Sequence, residues 1–268
     1  MNAQSLALGP AAARASARGG MFLGFRTILR KEIREWVRGR RALVVGGVAV
    51  ASAVFTTVIP FVVRATGGTQ GGPPLSMDPT ANVLLGWSGM TVAVMALLAS
   101  MSLLSGERDR GTLAWGLTLP VSPTSILAAK WLAAVVVFSV VAIFVPLVIS
   151  TGISALVYGG LPDLAKVGTF AVLYTAIPAF YVALALTLGT FVKSTGGIAG
   201  IGFLVMLLPS LVGAVLPIAA EASPTAIGGW AMAVATGQPA STLTLVGFLV
   251  SMAILVIGAK VIFDRQEV

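Results

Sequence analysis

The chain of 268 residues contains no cysteine and no histidine, and only 10% of its residues are charged. Without cysteine there is neither a disulfide framework nor a thiolate metal site. Without histidine, the commonest general base and the imidazole metal ligand are missing as well, so only Met, Asp and Glu remain for such work. The shortage of charge excludes a water-soluble fold of this size, whose surface must be largely polar. What the chain has in place of charge is apolar bulk: 57% of its residues are hydrophobic and the mean hydropathy is +0.99. That composition reads as a single all-α membrane domain.

The net charge of +8 does not point to nucleic acid. Nine of the 17 Lys and Arg lie between Arg14 and Arg41, beside the first apolar run, and no aromatic platform accompanies them. Membrane topology accounts for that placement. Residues 1–20, rich in Ala, Arg and Gly, read as a disordered extension, with Met21 an alternative start. From Phe22 to Arg41 the period is helical. Phe22, Phe25, Ile28, Leu29, Ile33, Trp36 and Val37 share one half of the wheel, and Arg30, Lys31, Arg34, Glu35, Arg38 and Arg41 share the other. Arg26, Glu32 and Arg40 fall on the wrong side. Such a helix suits the lipid headgroups; packing of its apolar face on protein is the alternative.

Six runs reach the roughly 20 apolar residues that a bilayer core requires: about 42–63, 83–104, 131–150, 167–191, 197–216 and 243–263. With the N-terminus inside, 15 of the 17 Lys and Arg fall on cytoplasmic segments and only Arg64 and Lys166 fall outside, so both termini are expected in the cytosol. The outer segment after the fifth run contains Ser223-Pro224, a helix start with Ser as N-cap and Pro at the first helical position. A short helix carrying Ile227, Trp230 and Met232 follows from it; a plain surface loop is the other reading.

At membrane depth these runs contain no Asp, Glu or Arg. Ion-coupled carriers and proton pumps retain ionisable groups there for function, which weighs against both. The polar groups that remain, Ser88, Thr91, Ser139, Tyr174, Tyr181 and Thr187 among them, suit interhelical packing. Gly196 and Gly200 have GxxxG spacing, for close approach within the chain or across a dimer. Pro146, Pro178 and Pro209 interrupt helices.

One stretch stands apart. GERDRGTLAWGLTLP, residues 106–120, sets Glu107-Arg108-Asp109-Arg110 together and then turns apolar through Leu113 and Trp115 before stopping at Pro120. A solvated loop between the second and third runs needs only to be polar, whereas a charged turn followed by Leu and Trp fits a docking element.

This segment resembles the loop between the second and third spans of type-2 ABC exporter permeases. Glu107, Asp109, Gly111, Thr112, Leu113, Pro120 and Lys130 match that family's pattern in order. Ala114 stands where many members carry an acid, and Ala129 where Gly often precedes the Lys. The opening FRTILRKEIREWVRGRRALVV resembles the family's interfacial helix, with Phe25, Leu29, Arg30, Glu32, Ile33 and Trp36 as its marked positions.

The resemblance implies six transmembrane helices, an N-terminal interfacial amphipathic helix and a cytosolic coupling helix between spans 2 and 3. It further implies a multi-pass protein of a prokaryotic cytoplasmic membrane, paired with a second permease copy or a related chain and with two cytosolic ABC ATPases. ATP and Mg belong to those ATPases: no G-x-x-x-x-G-K-[ST] and no Gly-Lys dipeptide occur in this chain, and no cofactor is expected in it. Under this reading Glu107, Arg108, Asp109, Arg110, Gly111, Thr112, Leu113 and Trp115 couple the chain to the ATPase. Glu107, Asp109 and Arg110 make charged contacts with it, Gly111 allows close approach, and Leu113 with Trp115 fills a groove or braces the span ends. The rival readings are an ATP-independent channel or carrier, and a membrane-embedded enzyme limited to Asp163, Glu221 and scattered hydroxyls.

Overall fold

The computed structural model describes residues 24–66, 78–87, 90–109 and 123–265, and every element among them is helical. Residues 1–20, which the sequence reads as an extension, lie outside the described residues.

Helix α1, Phe25–Arg38, starts after Gly24 in the left-handed region (φ 78°) and ends at Gly39. The Gly39 N–H bonds to the Glu35 carbonyl, and a Cβ at Gly39 would lie 2.7 Å from that oxygen. Gly39 itself is extended (φ −77°, ψ 152°), so a side chain there would be opposed by this close contact alone as the chain passes into α2, Arg40–Ala65.

The expected run 83–104 is not one continuous rod. Asp78 caps α3, Pro79–Leu85, accepting from the Thr80 N–H at 2.9 Å. The chain then breaks before α4, Thr91–Ser100, and tight turns lead into α5, Ser105–Asp109. The cause is local. Gly86 presses against α2, where an added Cβ would sit 2.8 Å from Thr56 Oγ1, and the Trp87 N–H reaches back only to the Leu84 carbonyl, three residues away. Hydropathy runs straight through this corner and does not mark it.

After this, α6 (Pro123–Ser139) and α7 (Val145–Tyr158) form one long rod joined by a π turn at Val140–Phe144. Pro146 has no N–H for the Ala142 carbonyl, and the Val145 N–H bonds to the Val140 carbonyl, five residues back. Helices α8 (Leu164–Tyr174) and α9 (Ala176–Phe191) are separated only at Thr175, just before Pro178. Almost every residue of α9 from Ile177 to Thr190 is buried, as befits a helix apolar all round, and α4, α6 and α10 pack on it.

The last third comprises α10 (Thr195–Gly213), α11 (Pro217–Glu221), a 3-10 turn (Pro224–Ala226), α12 (Ile227–Thr236) and α13 (Thr242–Arg265). The Ser223 side chain accepts from the Thr225 N–H at 3.2 Å, and Pro224 opens the turn as the sequence reads. Ile227, Ala231 and Ala235 of α12 are buried, and α12 packs on α8.

Among the described residues, five helices are long and apolar enough to cross a membrane: Arg40–Val63, Thr124–Tyr158, Leu164–Phe191, Thr195–Gly213 and Thr242–Ile262. Thr91–Glu107 is a shorter apolar stretch. The protein is therefore an all-helical, multi-pass membrane protein.

Candidate functional site

The ends of α1, α5 and α6 meet over a small apolar floor built from Trp36, Leu103, Leu104, Ala134, Val137, Val182 and Leu186, with Ile33, Leu127 and Trp131 around it. Trp36 is brought there by the apolar stripe of α1, which lies along α6. Phe25, Leu29 and Ile33 of that stripe are half-buried, and Arg30 on the opposite side is exposed.

Lys130 rises from α6 into this contact and is only 3% exposed. Its Nζ donates to Glu32 Oε1 at 2.9 Å and to Glu107 Oε1 at 2.7 Å. Glu32, on α1, is as deeply buried as Lys130, whereas the Glu107 side chain on α5 keeps 16% of its surface. One ammonium thus bridges carboxylates from two separate elements, at the distances of charge-assisted hydrogen bonds.

Lys31 stands at the rim, 3.7 Å from Glu32, 3.4 Å from Glu35 and 4.0 Å from Glu107. Partial burial disfavours its charged form, but the carboxylates of Glu32, Glu35 and Glu107 outweigh that and raise its pKa above the ordinary lysine value. The second cation offsets the excess of acid around Lys130. Beneath Glu107, Ser105 Oγ donates to the Met101 carbonyl at 3.0 Å and lies 3.3 Å from Thr195 Oγ1, which ties α5 to the start of α10.

A buried charge with no partner is expensive, and removing one member of such a pair typically costs about 3–5 kcal/mol. The cluster therefore fixes the register of α1, α5 and α6 against one another. Glu32, the residue that breaks the amphipathic pattern of α1, faces inward because Lys130 is there to meet it. That mismatch, together with the match of Glu107 and Lys130 to the family's loop pattern, was the signal in the sequence, and neither told that the three residues pair.

Of the residues expected to dock a partner, Glu107 joins this cluster. The backbone of Arg108 and Asp109 continues α5. Arg110, Gly111, Thr112, Leu113 and Trp115 lie outside the described residues, as does the expected coupling helix. Among the described residues no group of three or more Asp and Glu is placed to hold a metal ion.

The model of one family, the ABC-2 family transporter protein, matches residues 26–268. No curated protein matches the chain.

Proposed function

The chain belongs to the ABC-2 transporter family, and on that premise we propose that it is the membrane-spanning subunit of an ATP-driven exporter, working as a dimer with separate cytosolic ATPases. The family supports a transport subunit rather than a catalytic enzyme. In this reading α3 and α4 together make a broken second span, which gives six crossings with both termini in the cytosol.

The observation that carries the reading is the buried Glu32–Lys130–Glu107 cluster. It joins the helix before the first span, the segment leading into the 106–120 loop, and the entry to the third span. A push on that loop from an ATPase would pass through Glu107 to Lys130 and Glu32, moving α6 and α1 as one unit. The contact with the ATPase is assigned to Arg108 through Trp115, with Glu107 as the residue that passes the displacement inward. Interfacial positions Phe25, Leu29, Ile33 and Trp36 brace α1 against α6 while Arg30 faces the headgroups.

The test is capture, by the tagged full chain from native membranes, of a soluble ATPase carrying a G-x-x-x-x-G-K-[ST] loop, followed by reconstitution of the complex. The expected result is solute movement that needs both ATP and the ATPase. Solute flux from the reconstituted chain alone, with no nucleotide, would sink the proposal in favour of a passive carrier.

A further inference from the structure

Between α2 and α4 runs a groove of about 780 Å³ lined by Val44, Val45, Val48, Val94, Met95 and Leu98, with the guanidinium-bearing Arg40 and Arg41 at one end and Met90 and Thr91 at the other. Val44, Val48 and Leu98 are exposed, so its walls are apolar without being covered by the described chain. We propose that this groove is a binding site for one anionic phospholipid of the cytosolic leaflet, headgroup at Arg40 and Arg41 and acyl chain along α2.

Charge argues for an anion. Both arginines are exposed, and among the described residues no carboxylate lies within ion-pair distance of either. Arginine presents a planar fork that matches phosphate oxygens, and two adjacent forks at the mouth of an apolar channel suit a phosphodiester with a hydrocarbon tail behind it. Anionic lipids populate the cytoplasmic leaflet and are drawn to cationic residues beside a span.

From Arg40 to Val48 the rise is about 12 Å at 1.5 Å per residue, close to half of a bilayer core of about 30 Å, which suits a chain entering from one leaflet. Beyond the groove α2 goes on exposing Phe55, Ile59 and Val62, so charge rather than length favours a lipid over a helix of a second copy. A second copy would have to bring an acid to the two arginines, and α10, which exposes Leu204, Leu207 and Leu211, begins beside Lys193. The other large apolar groove, between α6, α9 and α13, has Lys260 as its one cation and lacks the paired forks.

The inference rests on the membrane orientation above but not on coupling to an ATPase, so lipid retention and ATP-driven transport fail separately. The experiment is native mass spectrometry of the full chain after delipidation in detergent, titrated with phosphatidylglycerol or with phosphatidylcholine of the same chains. The wild-type chain should hold one phosphatidylglycerol in preference to phosphatidylcholine. Joint substitution Arg40→Gln and Arg41→Gln should weaken that binding at least about ten-fold. Val48→Trp with Leu98→Trp should abolish it by filling the channel while both arginines remain.

Equal retention of the two lipids, or retention unchanged in either double variant, overturns the assignment. Conversion of dimer to monomer by the tryptophan pair, with lipid binding intact, also overturns it and gives the groove to a second copy.

Discussion

Lys130 Nζ sits 2.9 Å from Glu32 Oε1 although the two residues are 98 positions apart, and neither side chain exposes more than 4% of its surface. A pair this far apart in the chain and this well shielded from water makes the contact of α1 with α6 an obligatory part of the fold. Its removal has asymmetric consequences.

Lys130→Met leaves Glu32 buried with no buried cation beside it, and should destabilise the protein by about 3–5 kcal/mol. Glu32→Gln should cost less, because Lys130 keeps Glu107. Combining the two should recover part of the loss, giving a coupling energy between the sites. Thermal unfolding in a fixed detergent, read for the four proteins of the cycle, measures it; strict additivity would show that the pair is not coupled.

Glu107→Ala should leave insertion intact and lower the melting less than Lys130→Met does, since Lys130 still has Glu32, while lowering ATP hydrolysis coupled to transport in the reconstituted complex. A folded, inserted protein with poor coupling is the expected pattern. Full coupling in the variant would remove Glu107 from the path of force.

The glycines of α10 divide into two kinds. A Cβ at Gly202 would run into the Leu97 side chain, and Leu97 is completely buried, whereas a Cβ at Gly196 or Gly200 would meet nothing within 4 Å among the described residues. Gly202→Ala should therefore destabilise by about 1–3 kcal/mol through overpacking, relieved in the background of Leu97→Ala. Gly200→Ala should leave the melting of the isolated chain unchanged. If the GxxxG pair faces a second copy, Gly200→Leu should shift dimer to monomer in size-resolved light scattering without altering secondary structure.

The absence of cysteine makes orientation directly measurable. Gln238 and Lys193 are both exposed, Lys193 just before α10 and Gln238 just after α12. In intact cells an impermeant maleimide should label Gln238→Cys and spare Lys193→Cys until the membrane is opened. The reverse pattern would place the 106–120 loop outside, out of reach of any ATPase.

The bilayer runs were readable because length and hydropathy alone specify a span, and four of the six map with small shifts onto long helices: Arg40–Val63, Leu164–Phe191, Thr195–Gly213 and Thr242–Ile262. The third proved longer, Thr124–Tyr158, since Thr124 to Lys130 already belong to the helix before it reaches apolar depth. The second proved broken, because the corner at Gly86 is set by how closely α2 approaches, a tertiary fact that no window of apolar residues contains. Ser223-Pro224 was legible for the opposite reason: a cap acts within three residues. Glu107, Lys130 and Glu32 each stood out singly and yet their pairing did not, since Lys130 and Glu32 come together only once α1 folds back along α6.

The π turn at Val140–Phe144 gives the rod of α6 and α7 a property that an unbroken α-helix would not have. Below the turn, α6 packs against α1 and α9; above it, α7 packs against α2 and α3. One surplus residue re-phases the upper half so that a single rod presents its small and apolar side chains to different companions at its two ends. Under the proposed mechanism, a swivel imposed on the rod where Lys130 is anchored would be delivered to a different set of helices from the one that received it.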